Sequence, residues 1–363
     1  MKYLIVTLFL ITVTLFACKK TEEKQVQTDA IVYDATPYIL DYSGFNTPLL
    51  PTDNALTIQG VKLGRMLFYE NMLSRTNTQS CGTCHQQQFA FSDTAKLSTG
   101  VRGLFGLRNS MSAVNMAWNN NGFFWDGRAN LLRDQALMPI QDHLEMDENL
   151  DTLVNKLSQN VTYKNQFIRA FGTNEITAPK IALALEQFMH TIVSNNSKYD
   201  KYKRGELMLD SAEERGRKLF FTEYNEFFPL QSGADCAHCH SGVNFSNNAY
   251  MNNGLKTDAE MDDIGRQKVT FREVDKGKFK VPTLRNIALT PPYMSDGSIY
   301  TLEEVVEHYN SGLKTSSTLD PGLAATKGTG LRLTAQNKLD LVAFLKTLTD
   351  YSLINNPALS NPQ

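Results

Sequence analysis

Apolar residues recur along this chain at the three- and four-residue spacing of amphipathic helices, with polar residues on the opposite faces. No segment alternates apolar and polar positions over the length of a β-strand. The pattern therefore predicts a mainly α-helical fold. The clearest stripes are Ile181, Leu185, Phe188 and Ile192 at the middle of the chain, and Leu339, Val342, Leu345 and Leu348 near its C-terminus.

The start of one helix is marked at residues 301–304. Thr301 and Glu304 match a capping box, in which the hydroxyl and the carboxylate accept hydrogen bonds from the first-turn amides. In the helix that follows, Leu302, Val305 and Tyr309 share one face. We therefore expect Tyr309 to point inward.

The N-terminus carries the features of a secretory signal over residues 1–17. Lys2 precedes an apolar stretch that is too short to span a bilayer comfortably, and small Ala17 stands before Cys18. Leu15-Phe16-Ala17-Cys18 resembles a bacterial lipobox, which predicts cleavage before Cys18 and attachment of a lipid to its sulfur. An uncleaved N-terminal anchor is the alternative, and both interpretations predict export of the folded part.

The segment after the signal is polar, with charges of both signs and no apolar period. We predict a flexible tether over residues 18–40. The mature protein would then be a periplasmic lipoprotein that meets the membrane only through its lipid anchor at Cys18.

Composition narrows the class of protein. The 363 residues are 42% hydrophobic and 20% charged, with a net charge of -2, which excludes a disordered chain, a collagen-like repeat and a multispanning membrane protein. A chain of this length is expected to form about two domains. The near-neutral charge and the absence of a basic run interleaved with aromatic residues exclude nucleic acid as a partner.

The cysteines give the strongest chemical signal, because the motif Cys-x-x-Cys-His occurs twice. Two thiols at this spacing can add to the vinyl groups of one porphyrin, and the following histidine can bind the iron. A redox dithiol or half of a zinc site is the alternative for an isolated motif, but two motifs in an exported chain favour two covalent c-type haems. The attachment residues are Cys81, Cys84 and His85 in the first motif, and Cys236, Cys239 and His240 in the second.

The surroundings of the two motifs are also similar, which predicts one cytochrome unit present twice. The predicted domains are residues 41–198 and 199–363, with the boundary in the polar stretch near residues 195–205. The matching segments are Gly64–Phe68 with Gly216–Phe220, Leu107–Asn109 with Leu284–Asn286, and Asp126-Gly127 with Asp296-Gly297.

Further motifs resemble the bacterial di-haem cytochrome c peroxidase family, which includes MauG. They are Phe124–Ala129, Pro139, Glu145-Met146 and Val281–Asn286, in the family's order and spacing, and the match covers roughly residues 45–350. The resemblance implies two cytochrome c-like haem domains in tandem, the first peroxidatic and the second transferring electrons. It also implies reduction of hydrogen peroxide to water with electrons from a cytochrome c or a similar donor.

The resemblance assigns three catalytic roles beside the haem held by His85. Glu145 matches the family's catalytic glutamate, Gln135 matches its pocket amide, and Trp125 matches the tryptophan between the haems. On sequence alone, Glu145 would belong to a solvated acidic face. Trp125 could equally be a core aromatic residue that braces the adjacent turn.

One position departs from many peroxidases of the family, in which a histidine blocks the first iron until the other haem is reduced. The alignment places Val101 there, and valine cannot bind iron. We therefore expect an open first haem that needs no reductive activation.

The second haem is expected to have a sixth ligand. The family's peroxidases use a methionine, whereas the matching residue here is Tyr309, as in MauG. Met294 and His308 are the alternative ligands, and Tyr309 could instead be a core tyrosine beneath the haem.

The family also binds calcium between its domains, and Asn109, Thr290 and Pro292 match the ligand positions. Family members often pair, so a homodimer is possible. Two other functions stay open: MauG-like oxidation of a protein partner, and electron carriage without catalysis.

Overall fold

The computed structural model describes residues 31–228 and 231–362. The predicted signal peptide at residues 1–17, Cys18 and most of the predicted tether lie outside these residues. The helices are α1 (Ile58–Phe68), α2 (Cys81–Cys84), α3 (Leu132–Gln141), α4 (Leu150–Gln159), α5 (Val161–Phe171), α6 (Ala178–His190), α7 (Lys198–Lys203), α8 (Ser211–Phe221), α9 (Gln267–Thr270), α10 (Leu302–Ser311), α11 (Pro321–Ala324), α12 (Ala335–Lys346) and α13 (Tyr351–Ile354).

In the part of the chain that the structure describes, strands are confined to one short pair. β1 (Tyr250–Met251) runs antiparallel to β2 (Phe279–Lys280). The prediction of a mainly α-helical fold is therefore confirmed. Within the described residues, no helix combines the length and apolar character needed to cross a membrane.

Each half of the chain contains a close crossing of two helices at a glycine. A Cβ added to Gly64 in α1 would lie 1.9 Å from the carbonyl oxygen of Ala184 in α6. A Cβ on Gly216 in α8 would lie 1.9 Å from the carbonyl oxygen of Asp340 in α12. The two glycine motifs noticed in the sequence thus occupy equivalent positions, which supports the predicted duplication.

Gly216→Ala is expected to destabilise the protein. Alanine favours a helix over glycine by about 1 kcal/mol, but overpacking a tight contact costs about 1–3 kcal/mol or more, and the obstacle here is backbone. Thermal unfolding should show a lower Tm for Gly216→Ala than for the control Gly106→Ala, whose added Cβ would have its nearest contact at 3.7 Å. Equal Tm values for the two variants would contradict this close packing.

Most of the buried apolar side chains in the described residues belong to two clusters. Phe68 and Phe188 belong to the first, and Phe220 and Phe344 belong to the second. The C-terminal residues Leu353 and Leu359 pack back on the first cluster rather than on the second. The division at residues 198 and 199 stays a prediction, and the polar stretch around it contains α7.

A tight turn is repeated in the two halves. Phe123 pairs with Ala129 in one antiparallel bridge, and Tyr293 pairs with Ile299 in another. Each bridge encloses one of the Asp-Gly pairs matched in the sequence, Asp126-Gly127 or Asp296-Gly297.

The sequence match of Leu107–Asn109 with Leu284–Asn286 is wrong. Asn286 has left-handed backbone at the start of a 3-10 helix, and its amide donates to the carbonyl of Leu348. Asn115 has the same conformation and place, and its amide donates to the carbonyl of Ile192. The equivalent residues are therefore Asn115 and Asn286, because backbone geometry rather than the Leu-Arg-Asn letters is repeated.

Two further expectations need correction. The predicted tether over residues 18–40 extends too far, because Tyr38 donates its amide to Leu56 and packs on the first apolar cluster, and Asp34 donates to Arg169. In α12, the apolar stripe predicted near the C-terminus is also partly wrong. Leu339, a member of that stripe, is 58% exposed, and Leu341 is buried in its place. The buried face of α12 thus lies further round the helix than the stripe predicted.

Candidate active site

Both Cys-x-x-Cys-His motifs open onto one continuous cavity of about 680 Å³. Residues from the first motif, the second motif, the Trp125 turn and α10 form its walls. A cavity of this size suits large planar cofactors. The predicted site residues that line it are Cys81, Cys84, His85, Asn109, Trp125, Gln135, Glu145, Cys236, Cys239, His240, Thr290, Pro292, Met294 and Tyr309.

The two motif histidines are held in the same way. Nδ1 of His85 lies 2.9 Å from the carbonyl oxygen of Phe91, and Nδ1 of His240 lies 3.0 Å from that of Phe245. Burial lowers the pKa of His240 to about 4 and also lowers the pKa of His85. Each neutral ring therefore uses Nδ1 as the donor and keeps Nε2 for a metal, the usual arrangement of a ligating histidine.

The four motif cysteines fit covalent haem attachment. Cys81 and Cys84 begin and end α2, whose start is fixed by a hydrogen bond from the Ser80 amide to Thr83 Oγ1 (3.0 Å). All four thiols are free of disulfides. Across the described residues, no group of three or more histidine, cysteine, aspartate or glutamate residues could hold a metal ion.

Glu145 lines the cavity near the first motif, where burial and, less strongly, the nearby Glu145 carboxylate raise the pKa of the Cys81 and Cys84 thiols. Burial raises the pKa of Glu145 to about 7, the Asp142 carboxylate adds to this effect, and Arg128 opposes it. Among the described residues, no hydrogen-bond partner occupies the Glu145 carboxylate. A group with a pKa near neutrality can both accept and donate a proton at physiological pH.

The loop at residues 98–106 holds the Glu145 backbone. The Val101 amide donates to the Glu145 carbonyl oxygen at 2.8 Å. A Cβ on Gly100 would lie 2.1 Å from the carbonyl oxygen of Leu144, so only glycine allows this approach. Val101 therefore lies beside the candidate acid–base group, with an apolar side chain.

The repeated turn places α3 and α10 in equivalent positions. Leu132 stands three residues after the bridge that ends at Ala129, and Leu302 stands three residues after the bridge that ends at Ile299. Pro139 follows Leu132 by seven residues, just as Tyr309 follows Leu302. Pro139 and Tyr309 both line the cavity, as does Gln135 in α3. Proline has no ligating side chain, so the first half lacks the phenol that the second half presents.

The three candidate ligands of the second haem are placed differently. Tyr309 lines the cavity, on the inward face predicted with Leu302 and Val305, and the predicted capping box of Thr301 and Glu304 is present. Met294 also lines the cavity, but its sulfur lies 3.2 Å from Nδ2 of Asn253. Nε2 of His308 lies 3.0 Å from the carbonyl oxygen of Asn253, and His308 is not part of the cavity wall. The geometry therefore favours Tyr309 and disfavours His308.

Trp125 is held by both halves of the chain. Its indole N–H donates to the carbonyl oxygen of Asn109 (2.8 Å), and its own carbonyl oxygen accepts from the amide of Lys280 (2.7 Å). Its side chain is part of the wall of the cavity that both motifs share. This placement fits a side chain located between two cofactors.

The predicted calcium residues lie at the same wall. Nδ2 of Asn109 donates to the carbonyl oxygens of Ala95 and Lys96 at 3.2 Å, which leaves its Oδ1 for another partner. Thr290 and Pro292, which belong to the second half of the chain, also line the cavity. This donor set consists of oxygen atoms, which suits Ca²⁺.

Sequence reasoning missed the charged residues around the Trp125 turn. Arg108 contacts both Asp126 and Asp263, and Arg128 lies 3.6 Å from the ring centroid of Phe124. Lys280 is 5% exposed. Arg128 lies within the Phe124–Ala129 motif, which assigns it no separate role, and no local pattern signals the pairing of Arg108 with Asp263, which are distant in the sequence.

Comparisons with known proteins agree with this geometry. Residues 58–208 match the family model described as di-haem cytochrome c peroxidase. The chain is 31% identical to the methylamine utilization protein MauG of Methylophilus methylotrophus over 300 residues, which cover 82% of this chain and 84% of that protein. It is 34% identical to the cytochrome c551 peroxidase of Nitrosomonas europaea over 268 residues, which cover 72% of this chain and 76% of that protein.

A solved structure is also similar. A MauG-like protein associated with microbial copper homeostasis superimposes with a TM-score of 0.79 and 34% identity, covering 90% of this chain and 99% of that one. These similarities agree with the paired Cys-x-x-Cys-His motifs, the free thiols and the cavity that the two motifs share. The chain belongs to the di-haem cytochrome c peroxidase family and is a peroxidase with two c-type haems.

Proposed function

We propose that this cytochrome c peroxidase reduces hydrogen peroxide beside His85, with Glu145 as the acid–base group and Gln135 as a pocket amide. The observation that carries the proposal is the place of Glu145, which lines the cavity near the first motif and whose carboxylate has no hydrogen-bond partner among the described residues. When bound, the haem attached to Cys81 and Cys84 would supply a site for peroxide and the route for two electrons.

Glu145 would move the proton on which cleavage of the O–O bond depends. Its carboxylate accepts a proton from the inner peroxide oxygen and returns it to the outer oxygen, which leaves as water. Two electrons and two protons per peroxide give two waters. Pro139 offers no ligand at the cavity wall, and Val101, whose amide contacts the Glu145 backbone, has an aliphatic side chain that cannot bind iron, so this half of the chain supports an open peroxide site that needs no activation.

Stopped-flow mixing of the oxidised di-haem protein with peroxide, followed by reduced cytochrome c, tests this proposal. Rapid oxidation of the cytochrome is expected. A long-lived oxidised state that does not react with reduced cytochrome c would instead support a MauG-like enzyme. The absence of any spectral response to peroxide would support an electron carrier and contradict the proposed site.

The pH dependence of the reaction should report Glu145. Because the ionised form must accept the first proton and burial raises the pKa to about 7, kcat/KM for peroxide is expected to rise as the pH increases through about 7. Asp142→Asn removes a negative charge and should move the midpoint to lower pH. Arg128→Gln removes a positive charge and should move it to higher pH. Midpoints that shift in the same direction in both variants would contradict the assignment.

The second haem would be held by Cys236, Cys239 and His240, with Tyr309 as the sixth ligand. It would collect electrons from the donor and pass them toward Trp125. A phenolate favours ferric iron and lowers the reduction potential relative to a thioether ligand.

Tyr309→Phe should therefore change the spectrum of the oxidised second haem and raise its potential. The spectrum of the first haem should be unchanged. Spectroelectrochemical titration checks both effects, and Tyr199→Phe, which alters a buried tyrosine of the same half that is not part of the cavity wall, is the control. An unchanged second-haem spectrum in Tyr309→Phe would remove the ligand assignment.

MauG-like oxidation of a protein partner is the second candidate. Tyr309 at the cavity wall and the aliphatic Val101 favour it together. Neither residue identifies a substrate, so the response to reduced cytochrome described above decides between the two.

Three further features are proposed for this protein: its cellular location, a calcium site and its oligomeric state. The N-terminal sequence supports a periplasmic lipoprotein anchored by lipid at Cys18. Oδ1 of Asn109 and the carbonyl oxygens of Thr290 and Pro292 support a Ca²⁺ site beside the Trp125 turn. A homodimer stays a prediction.

A further inference from the structure

The second half of the chain holds the turn that carries Trp125 by several contacts. Nη1 of Arg266 donates to the carbonyl oxygens of Asp126 (2.7 Å) and Gly127 (3.1 Å). A Cβ on Gly127 would lie 1.9 Å from the Tyr250 hydroxyl oxygen. The turn therefore fits closely against the second half, and its position depends on residues there.

Arg108 joins this turn to a loop of the second half. Its Nε and Nη2 donate to the two carboxylate oxygens of Asp263 at 2.6 and 3.0 Å, and its Nη1 donates to Asp126 at 2.7 Å. The Arg108 side chain is only 13% exposed. Two parallel hydrogen bonds to one carboxylate fix the orientation of the planar Arg108 guanidinium. The ammonium group of a lysine at this position would not be oriented in this way.

The contact of Arg108 with Asp126 joins the same two segments of the chain as the hydrogen bond of the Trp125 indole. Arg108 precedes Asn109, whose carbonyl oxygen accepts from Trp125, and Asp126 follows Trp125. Two adjacent contacts thus join the same two segments, one through the indole and one through the guanidinium. Because Asp263 holds the other edge of that guanidinium, a displacement of Asp263 would be passed to Trp125.

We propose that Asp263, acting through Arg108, is a positioning residue that fixes the Trp125 indole for electron transfer between the two haems. The proposal rests on the proposed role of Trp125 as the relay. Each electron would pass from the haem held by His240 to the haem held by His85, so Trp125 would be unchanged after the transfer. Arg108 stays paired with Asp126 when Asp263 is replaced, so the expected effect is misplacement rather than unfolding.

The test is the rate of inter-haem electron transfer in the holoprotein carrying Asp263→Asn. Protein with only the second haem reduced is mixed with peroxide, and oxidation of that haem is followed by stopped-flow absorbance. We expect the rate to fall about tenfold, within the range for a small misplacement of a reacting group. The KM for peroxide should not change, because the Glu145 site is not altered.

Asp340→Asn is the matched control. It breaks another two-bond pair, in which Nε and Nη2 of Arg215 donate to Asp340 at 2.7 and 2.8 Å between α8 and α12. Its transfer rate should equal that of the wild type. If Asp263→Asn fails to take up two haems, Arg108→Lys replaces it, since lysine keeps the charge but loses the two-bond geometry.

Trp125→Phe separates the two levels of the proposal. One outcome overturns the positioning role and leaves the relay intact. In that outcome, Trp125→Phe slows the electron transfer, whereas Asp263→Asn, or Arg108→Lys in its place, transfers electrons at the wild-type rate. If Trp125→Phe also transfers at the wild-type rate, the relay itself is wrong and the positioning role falls with it. Slow transfer in both, with a normal Asp340→Asn, supports the proposal.

Discussion

Glu145→Gln is expected to lower kcat/KM for hydrogen peroxide by about 10²–10⁴-fold, the usual contribution of a positioned acid–base group. Glutamine keeps the size of the side chain but cannot shuttle a proton between the two peroxide oxygens. The variant should still carry two haems, because Glu145 contacts neither thioether cysteine by a hydrogen bond among the described residues. Steady-state oxidation of reduced cytochrome c by peroxide measures the loss.

Asp134→Asn is the control for this variant. Asp134 is an exposed carboxylate in the first turn of α3, directly before Gln135, so its replacement alters charge near the site without altering the cavity. It should retain wild-type turnover. Wild-type turnover in Glu145→Gln itself would show that another group moves the proton.

Removing one pair of attachment cysteines should remove one haem and, with it, turnover. Cys81→Ala/Cys84→Ala should retain a single covalent haem and lose its reaction with peroxide. Cys236→Ala/Cys239→Ala should also retain a single haem, and should react with peroxide once but fail to turn over with the donor cytochrome. The physical reason is that each iron depends on its own thioether pair for retention.

The two double variants are controls for one another. Intact mass spectrometry gives the number of covalent haems, and stopped-flow absorbance gives the reaction with peroxide. Loss of the peroxide reaction in the second double variant, with retention in the first, would reverse the roles assigned to the two halves.

The chemistry of the site could be predicted from the sequence where it depends on local spacing. The Cys-x-x-Cys-His motifs fix both attachment sites, because thiols and imidazole must meet one macrocycle within a turn of backbone. The inward direction of Tyr309 follows from helical spacing after the Thr301 capping box, and the structure places it at the cavity wall. The function assigned from the family's motifs is confirmed by the comparisons.

Long-range packing could not be predicted in this way. The Leu-Arg-Asn match gave Asn109 as the counterpart of Asn286, whereas the left-handed backbone at Asn115 identifies the true one. The pairing of Arg108 with Asp263 joins segments far apart in the chain and depends on how the two halves pack. The docking of Tyr38 against the first core likewise depends on a surface that the polar sequence around it does not reveal.

We expect the iron held by His85 to have an open coordination site and the iron held by His240 to have none. Electron paramagnetic resonance of the oxidised protein, recorded before and after addition of cyanide, distinguishes the two irons. One high-spin and one low-spin ferric haem are expected, with cyanide converting only the high-spin signal. Two low-spin haems that do not respond to cyanide would contradict this expectation.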